Sequence, residues 1–168
     1  KRGPEGLLKE FPRLSKEARN LITIENDEMG HGLESTLEVA KEIALVLDIH
    51  HHWIRAEEYI QPNDDRVKRV IDSWRGIRPT LHYSYSRDEH LEPAGLGDKM
   101  HSGMHDIKML LERGCKKQKL RAHSDLLPNA TVNDWALSFG EHFDIQTEAK
   151  GKNLAAEQLY RQHVKNSI

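Results

Sequence analysis

Short apolar runs constrain this chain more than any other feature, because each ends in a side chain that binds metals and helical stretches lie between them. Leu21, Ile22 and Ile24 lead into Glu25, while Ala44, Val46 and Leu47 lead into Asp48, which opens Asp48-Ile49-His50-His51-His52. Leu81 runs into His82, and Phe143 and Ile145 run towards Glu148. Strands that alternate with helices pair in parallel, since each crossover helix returns the chain to the same end of the sheet. Every strand then finishes at one edge, where side chains far apart in sequence converge. The pattern predicts strands over Leu21–Glu25, Ala44–Asp48, Pro79–Tyr83, Lys119–His123 and Phe143–Glu148.

Between them, Ser35 with Glu38 reads as a capping box that opens a helix to about Ile43. Val67, Val70, Ile71 and Trp74 recur at helical spacing, as do Met104, Ile107, Leu110 and Leu111 before Gly114. Thr131 is placed to cap a helix with Val132, Trp135, Ala136 and Phe139 on its inner face. A last helix is predicted from about Leu154, with Ala156, Leu159, Tyr160 and Val164 facing inward. The charged stretch Ser86–Gly97, with its Pro and Gly, reads as a long loop above the strand ends. The expected fold class is α/β of the TIM-barrel type, with residues 1–168 as a single domain. The strands are too few to close a (β/α)8 barrel, and the chain opens inside a helical region carrying Leu7, Leu8, Phe11, Leu14 and Ala18. It is therefore expected to be the C-terminal portion of such a barrel. The missing N-terminal half, or a partner chain, would cover its exposed strand edges.

With 168 residues and 37% hydrophobic content, the chain can bury one core. Its 25 Lys and Arg against 27 Asp and Glu lack the basic surplus of a dedicated nucleic-acid module. Bound divalent cations can supply the positive field instead. Cys115 is the lone cysteine, which rules out an internal disulfide and fits a reducing, cytoplasmic setting. No apolar stretch approaches membrane-spanning length, so no membrane partner is expected.

Taken singly, each candidate site residue has an ordinary structural explanation. Glu25 could cap a helix or sit on the surface, as Asp27 and Glu28 are expected to do. His82 shares a strand face with Thr80 and could be a half-buried histidine bonded to a carbonyl. Glu148 stands near Lys150 and Lys152 and could be ion-paired in a loop, while His123 and Asp125 follow the least regular of the strand runs. Asp48 with His51 is more suggestive, since a turn after a strand can bring that imidazole back beside the carboxylate. His50 and His52 are then expected behind the site or at the surface, and His142 and His163 fall on predicted helices without a role. Together, Glu25, Asp48, His82 and Glu148 end strands in chain order, with His51 and His123 as further nitrogen donors. That combination points to a metal-dependent hydrolase.

At these residues the chain resembles the UV damage endonucleases, the UvsE/UvdE family of TIM-barrel DNA repair nucleases related in fold to endonuclease IV. Leu21–Glu28 (LITIENDE), Leu47–His52 (LDIHHH), Arg78–Ser84 (RPTLHYS), Arg121–Asp125 (RAHSD) and Asp144–Lys152 (DIQTEAKGK) carry the resemblance. It implies an endonuclease that hydrolyses damaged double-stranded DNA immediately 5′ to a UV photoproduct or other lesion. It also implies two or three divalent metal ions per complete site, Mn2+ first, with Zn2+ or Mg2+ as alternatives. Carried over by position, Glu25, Asp48, His51, His82, His123 and Glu148 would be metal ligands, and Lys150 would lie near the phosphate. Glu25, Glu148 and Lys150 would be the catalytic groups. Two departures stand out: Thr80 replaces a lysine common among relatives, and the long interval from His82 to His123 implies an insertion at about Asp88–Gly114. The family's N-terminal half supplies further ligands and lesion-probing side chains, so inactivity of this segment alone is a possible outcome. On the residues alone, two alternatives stay open: a xylose-isomerase-like sugar isomerase or epimerase built around one metal, and a non-catalytic remnant.

Overall fold

A computed structural model describes residues 3–166, and four parallel strands lie at its centre. They are β1 (Thr23–Glu25), β2 (Ala44–Asp48), β3 (Thr80–Tyr83) and β4 (Asp144–Thr147), hydrogen-bonded in the order β1-β2-β3-β4. Neighbours in the sheet are neighbours in sequence, the connectivity of a barrel segment; a doubly wound sheet would reverse its strand order. The registers Glu25↔Val46, Asp48↔His82 and His82↔Gln146 decide the site. Because side chains alternate along a strand, Glu25, Asp48, His82 and Glu148 share one face at the C-terminal end of the sheet.

The two faces differ sharply. Leu45, Leu47, Leu81 and Tyr83 point to the other side and are fully buried in the hydrophobic core. Helices cover them. Helix Asp65–Ser73 docks on β2 through Ser73, whose hydroxyl accepts from the Leu45 N–H, and through the following Trp74, whose indole N–H donates to the Leu45 carbonyl. The Tyr83 hydroxyl donates to Asn133 Oδ1 on helix Ala130–Leu137 at 2.7 Å. On the site face, Thr23, Asp144 and Gln146 are exposed and Thr80 is half-buried. Arg78 clasps the entry of β4, donating to Asp144 Oδ1 and to the carbonyls of Gly140, Glu141 and Phe143.

Several expected elements shift. Lys119–His123 is not a strand: Lys119 and Leu120 donate to the Lys116 carbonyl, closing a helical turn, and His123 makes only an isolated antiparallel bridge with Ser86. A helix begins at Leu33 rather than Ser35, because Gly32 caps it and the Ser35 hydroxyl is engaged with His31. It passes into a 3-10 turn at Leu37–Val39 and does not reach Ile43. Asn129, not Thr131, caps Ala130–Leu137 by accepting from the Val132 N–H. Leu21 ends a helix and is exposed, and Met104 lies outside helix Ile107–Glu112. In helix Asn153–Asn166, Ala155 and Leu159 face the core, whereas Ala156, Tyr160 and Val164 are exposed. The Ser86–Gly97 stretch carries helical turns at Asp88–Leu91 and Glu92–Ala94 rather than an open loop.

Leu47 is 0% exposed on the helix-covered face. Leu47→Ala is expected to lower unfolding free energy by about 2–5 kcal/mol, measured by chemical denaturation.

Candidate metal centre

Asp48 organises the centre. It ends β2 and caps helix Ile49–Ala56, its Oδ1 accepting from the His51 N–H at 2.7 Å. That cap satisfies one exposed helix donor and turns His51 back over the strand end. Asn26, the residue after β1, clips onto the same place: its Nδ2 donates to the Asp48 carbonyl and its Oδ1 accepts from the Asp48 N–H, at 2.8 and 2.9 Å. Glu148 is held by its own N–H, which donates to the Tyr83 carbonyl beyond the last residue pair of β3 and β4.

These constraints bring ligand atoms of Glu25, Asp48, His82 and Glu148 within 4.8 Å of one another. His82 Nδ1 lies 3.2 Å from Glu25 Oε1 and 3.4 Å from Glu148 Oε1. Glu25 Oε1, Asp48 Oδ2 and His82 Nδ1 are buried and lack hydrogen-bond partners. Native proteins rarely leave such atoms unsatisfied, and a cation is one standard explanation. The donor set of three carboxylates and one imidazole therefore fits a divalent metal ion.

The electrostatics agree. Burial, reinforced by the charges of Glu25 and Glu148, pushes the Asp48 carboxyl well above its usual range. Burial also opposes charge on His82, but Glu25, Glu148 and Asp48 outweigh it and raise the imidazole. For Glu25 burial acts upward, and the neighbouring His82 and His51 reverse it to a net lowering.

The other expected residues fall around this group. His51 Nδ1 lies 3.5 Å from both Glu25 Oε1 and Asp48 Oδ2. His123 is adjacent to His51, with ring centroids 6.3 Å apart, and its Nδ1 donates to the Glu148 carbonyl at 2.6 Å. Lys150 is exposed, anchored by its backbone N–H to the Ser124 carbonyl, and is not among the four convergent groups. His50 and His52 are both buried. Ser86 Oγ donates to the Leu120 carbonyl and so accepts from His50 Nε2, while Ser84 donates to His50 Nδ1. Both His50 nitrogens are thus engaged, and burial first, then His123 and His51, keeps its basicity well below the usual range. His52 pairs with Glu58 instead.

Sequence reasoning missed Asn26 and misplaced Glu28. Asp27 Oδ1 accepts from the N–H groups of Met29 and Gly30, a tight turn in which Glu28 is only 2% exposed, although a surface position was expected. A groove of about 530 Å³ beside helix Asn153–Asn166 shares no residue with the centre.

Comparison with known proteins places this geometry in context. A family model described as UV-endonuclease UvdE matches residues 2–167. A putative UV-damage endonuclease of Acanthamoeba polyphaga mimivirus is 33% identical over 150 residues, covering 85% of this chain and 43% of that protein. The UV-damage endonuclease of Neurospora crassa is 31% identical over 100 residues, 53% of this chain and 15% of its own length. That of Schizosaccharomyces pombe is 28% identical over 162 residues, 92% of this chain and 22% of its own length. The solved structure described as "Crystal Structure of SacUVDE" superposes with a TM-score of 0.63 at 17% identity, covering 97% of this chain and 45% of that one. This likeness supports the α/β, TIM-barrel-type fold, seen here as part of a barrel. The chain spans less than half the length of each of these relatives.

Two outcomes follow from the centre itself. Asn26→Ala strands the buried N–H and carbonyl of Asp48 and is expected to cost about 2–4 kcal/mol, read by thermal and chemical unfolding. Cation binding must displace protons from the raised Asp48 and His82, so Mn2+ affinity should strengthen as pH rises from about 5 to 7.5. Calorimetric titration at both pH values, in buffers of different ionisation enthalpy, would reveal the released protons; an affinity independent of pH contradicts the assignment.

Proposed function

The chain belongs to the UV-endonuclease UvdE family, and from that membership we propose that it forms part of a cation-dependent DNA repair endonuclease. Its reaction is hydrolysis of the phosphodiester 5′ to UV photoproducts or other lesions in double-stranded DNA. The observation that carries this reading is the meeting of Glu25, Asp48, His82 and Glu148 with three buried donor atoms left unpartnered.

In this reading Glu25, Asp48, His82 and Glu148 hold one ion, and His51 and His123 contribute to another, within a complete site of two or three. Divalent cations bound there, Mn2+ first and Zn2+ or Mg2+ as alternatives, supply Lewis acidity at the phosphate and charge for the departing oxygen. The residues of the chain do the positioning. The cap on His51 and the Asn26 clip fix Asp48 before substrate arrives, so little reorganisation is left for the reaction. His82 Nδ1 stands between Glu25 and Glu148, whose charges raise the imidazole, and it would be one of the groups that hold the ion. Lys150, exposed at the exit of β4, lies along the phosphate backbone. Lesions are selected because damaged, poorly stacked DNA is cheap to distort.

The partners are damaged duplex DNA and the remainder of a barrel, or a second chain, along the open edges of β1 and β4. The buried lone thiol of Cys115 suits a cytoplasmic setting. A sugar isomerase would account for the four strand-end donors but gives no reason for His51 and His123 beside them.

Glu25→Gln is expected to cut nicking of UV-irradiated plasmid by roughly 100-fold or more while leaving binding to damaged duplex nearly unchanged. Undiminished nicking by the variant rules the assignment out, and absence of nicking by the parent with Mn2+ favours the non-catalytic reading.

A further inference from the structure

One stretch of the chain runs against its overall charge. Lys108, Arg113, Lys116, Lys117, Lys119 and Arg121 fall between positions 108 and 121 with a single acidic side chain, Glu112, although the whole chain carries a net charge of -2. A lysine-rich run is ordinarily a solvated face, so placement decides what this one can do. Lys117 and Arg121 are already matched: Lys117 Nζ lies 3.1 Å from Glu57 Oε1, and Arg121 Nε lies 2.6 Å from Glu28 Oε1. Lys116 and Lys119 are exposed, and among the described residues neither has a carboxylate partner.

Backbone contacts set this pair beside the strand ends. The Lys116 carbonyl accepts from the N–H groups of Lys119 and Leu120, at 2.7 and 3.1 Å, and the Leu120 side chain is buried in the core. Ser86 Oγ donates to the Leu120 carbonyl, and the Arg87 N–H donates to the Ala122 carbonyl. His123, next in the chain, donates from Nδ1 to the Glu148 carbonyl. Lys150 and Gly151 extend the same seam, their N–H groups donating to the carbonyls of Ser124 and Asp125. A spacing of three puts Lys116 and Lys119 on one side of their helical turn. From Lys119 to His123 the chain can span at most roughly 14 Å. One strand of duplex DNA rises about 3.4 Å per phosphate, so that reach corresponds to about four phosphates.

We propose that Lys116 and Lys119 form a cationic ledge that binds the phosphate backbone of duplex DNA flanking the reacting phosphodiester, by charge and without regard to lesion or base sequence. This rests on the nuclease reading above and adds to it where the duplex continues beyond the cation centre. The turn holds both backbones in place before any ligand arrives, so less ordering opposes the contact than on a free loop. The pair also gathers at one place the positive charge that the composition as a whole lacks.

The test is fluorescence anisotropy with a short undamaged duplex and Mn2+, repeated over a range of KCl, for the parent, Lys116→Gln, Lys119→Gln, the double variant and Lys41→Gln. Lys41 is an exposed control that precedes the opposite end of β2. Each ledge substitution should weaken binding roughly fivefold at about 0.1 M salt and reduce the slope of log K against log salt by about 0.9, the pair by about 1.8. Lys41→Gln should leave both quantities unchanged, and Lys119→Arg should keep the parent slope. An undiminished slope in the double variant overturns the proposal and leaves a solvated face only. An equal loss in Lys41→Gln, or a parent that does not bind the duplex, overturns it as well. Nicking of UV-irradiated plasmid is scored separately. Lysine-dependent binding without nicking overturns the nuclease reading and leaves the ledge standing, whereas nicking with unaltered slopes does the reverse.

Discussion

Repulsion among carboxylates is the constraint around which the rest of this structure is arranged. Glu25, Asp48 and Glu148 converge at one end of a sheet with His82 among them, and Asp48 is entirely out of water. Two like charges about 4 Å apart repel by about 4 kcal/mol at an effective dielectric of 20. Left to flexible loops, such groups would simply separate. Here each is tied to backbone: Glu148 through the ladder to Tyr83, Asp48 through its cap and the Asn26 clip, Glu25 through its register with Val46. The buried face formed by Leu45, Leu47, Leu81 and Tyr83 is the mass against which that strain is held. Burial with the neighbouring carboxylates raises the Asp48 carboxyl, and those carboxylates raise the His82 imidazole, both in the direction that eases the repulsion.

What could be read from the chain follows from how far each signal depends on local sequence. Apolar runs that stop at Glu25, Asp48, His82 and Glu148 encode strand ends directly, because burial and register both act with a period of two along a strand. The shared face was legible for that reason. The Lys119–His123 run was not, since of its residues only Leu120 packs inward and the competing turn onto Lys116 is a local hydrogen-bond choice. His123 still reaches the site, delivered by its bridge to Ser86 and its bond to the Glu148 carbonyl. Helix starts slipped by three residues at Ser35 and by two at Thr131, because Gly32 and Asn129, earlier in the chain, took the capping position.

Asn26 and Glu28 show where sequence reasoning reaches its end. Polar residues after a strand ordinarily belong to a solvated loop. Here the Asp27 turn folds the segment back, and burial arises only when Arg121 and His51 arrive from elsewhere in the chain. No periodicity marks such a position, because the groups that bury it lie far away in sequence. A loop carboxylate becomes interior through tertiary contacts alone.

Thr80 bears on how the centre balances its charge. It lies one pleat below His82 on the site face, half-buried, where a lysine would place an ammonium beneath the carboxylates. Threonine adds none; the ammonium's place is taken by no side chain of β3, while Arg121 stands against Glu28 from outside the sheet and the charges of Glu25, Glu148 and Asp48 raise the His82 imidazole. Without an ammonium at position 80, the carboxylates keep a net negative field, which the divalent ions of the proposed function would offset in a chain with no basic surplus of its own.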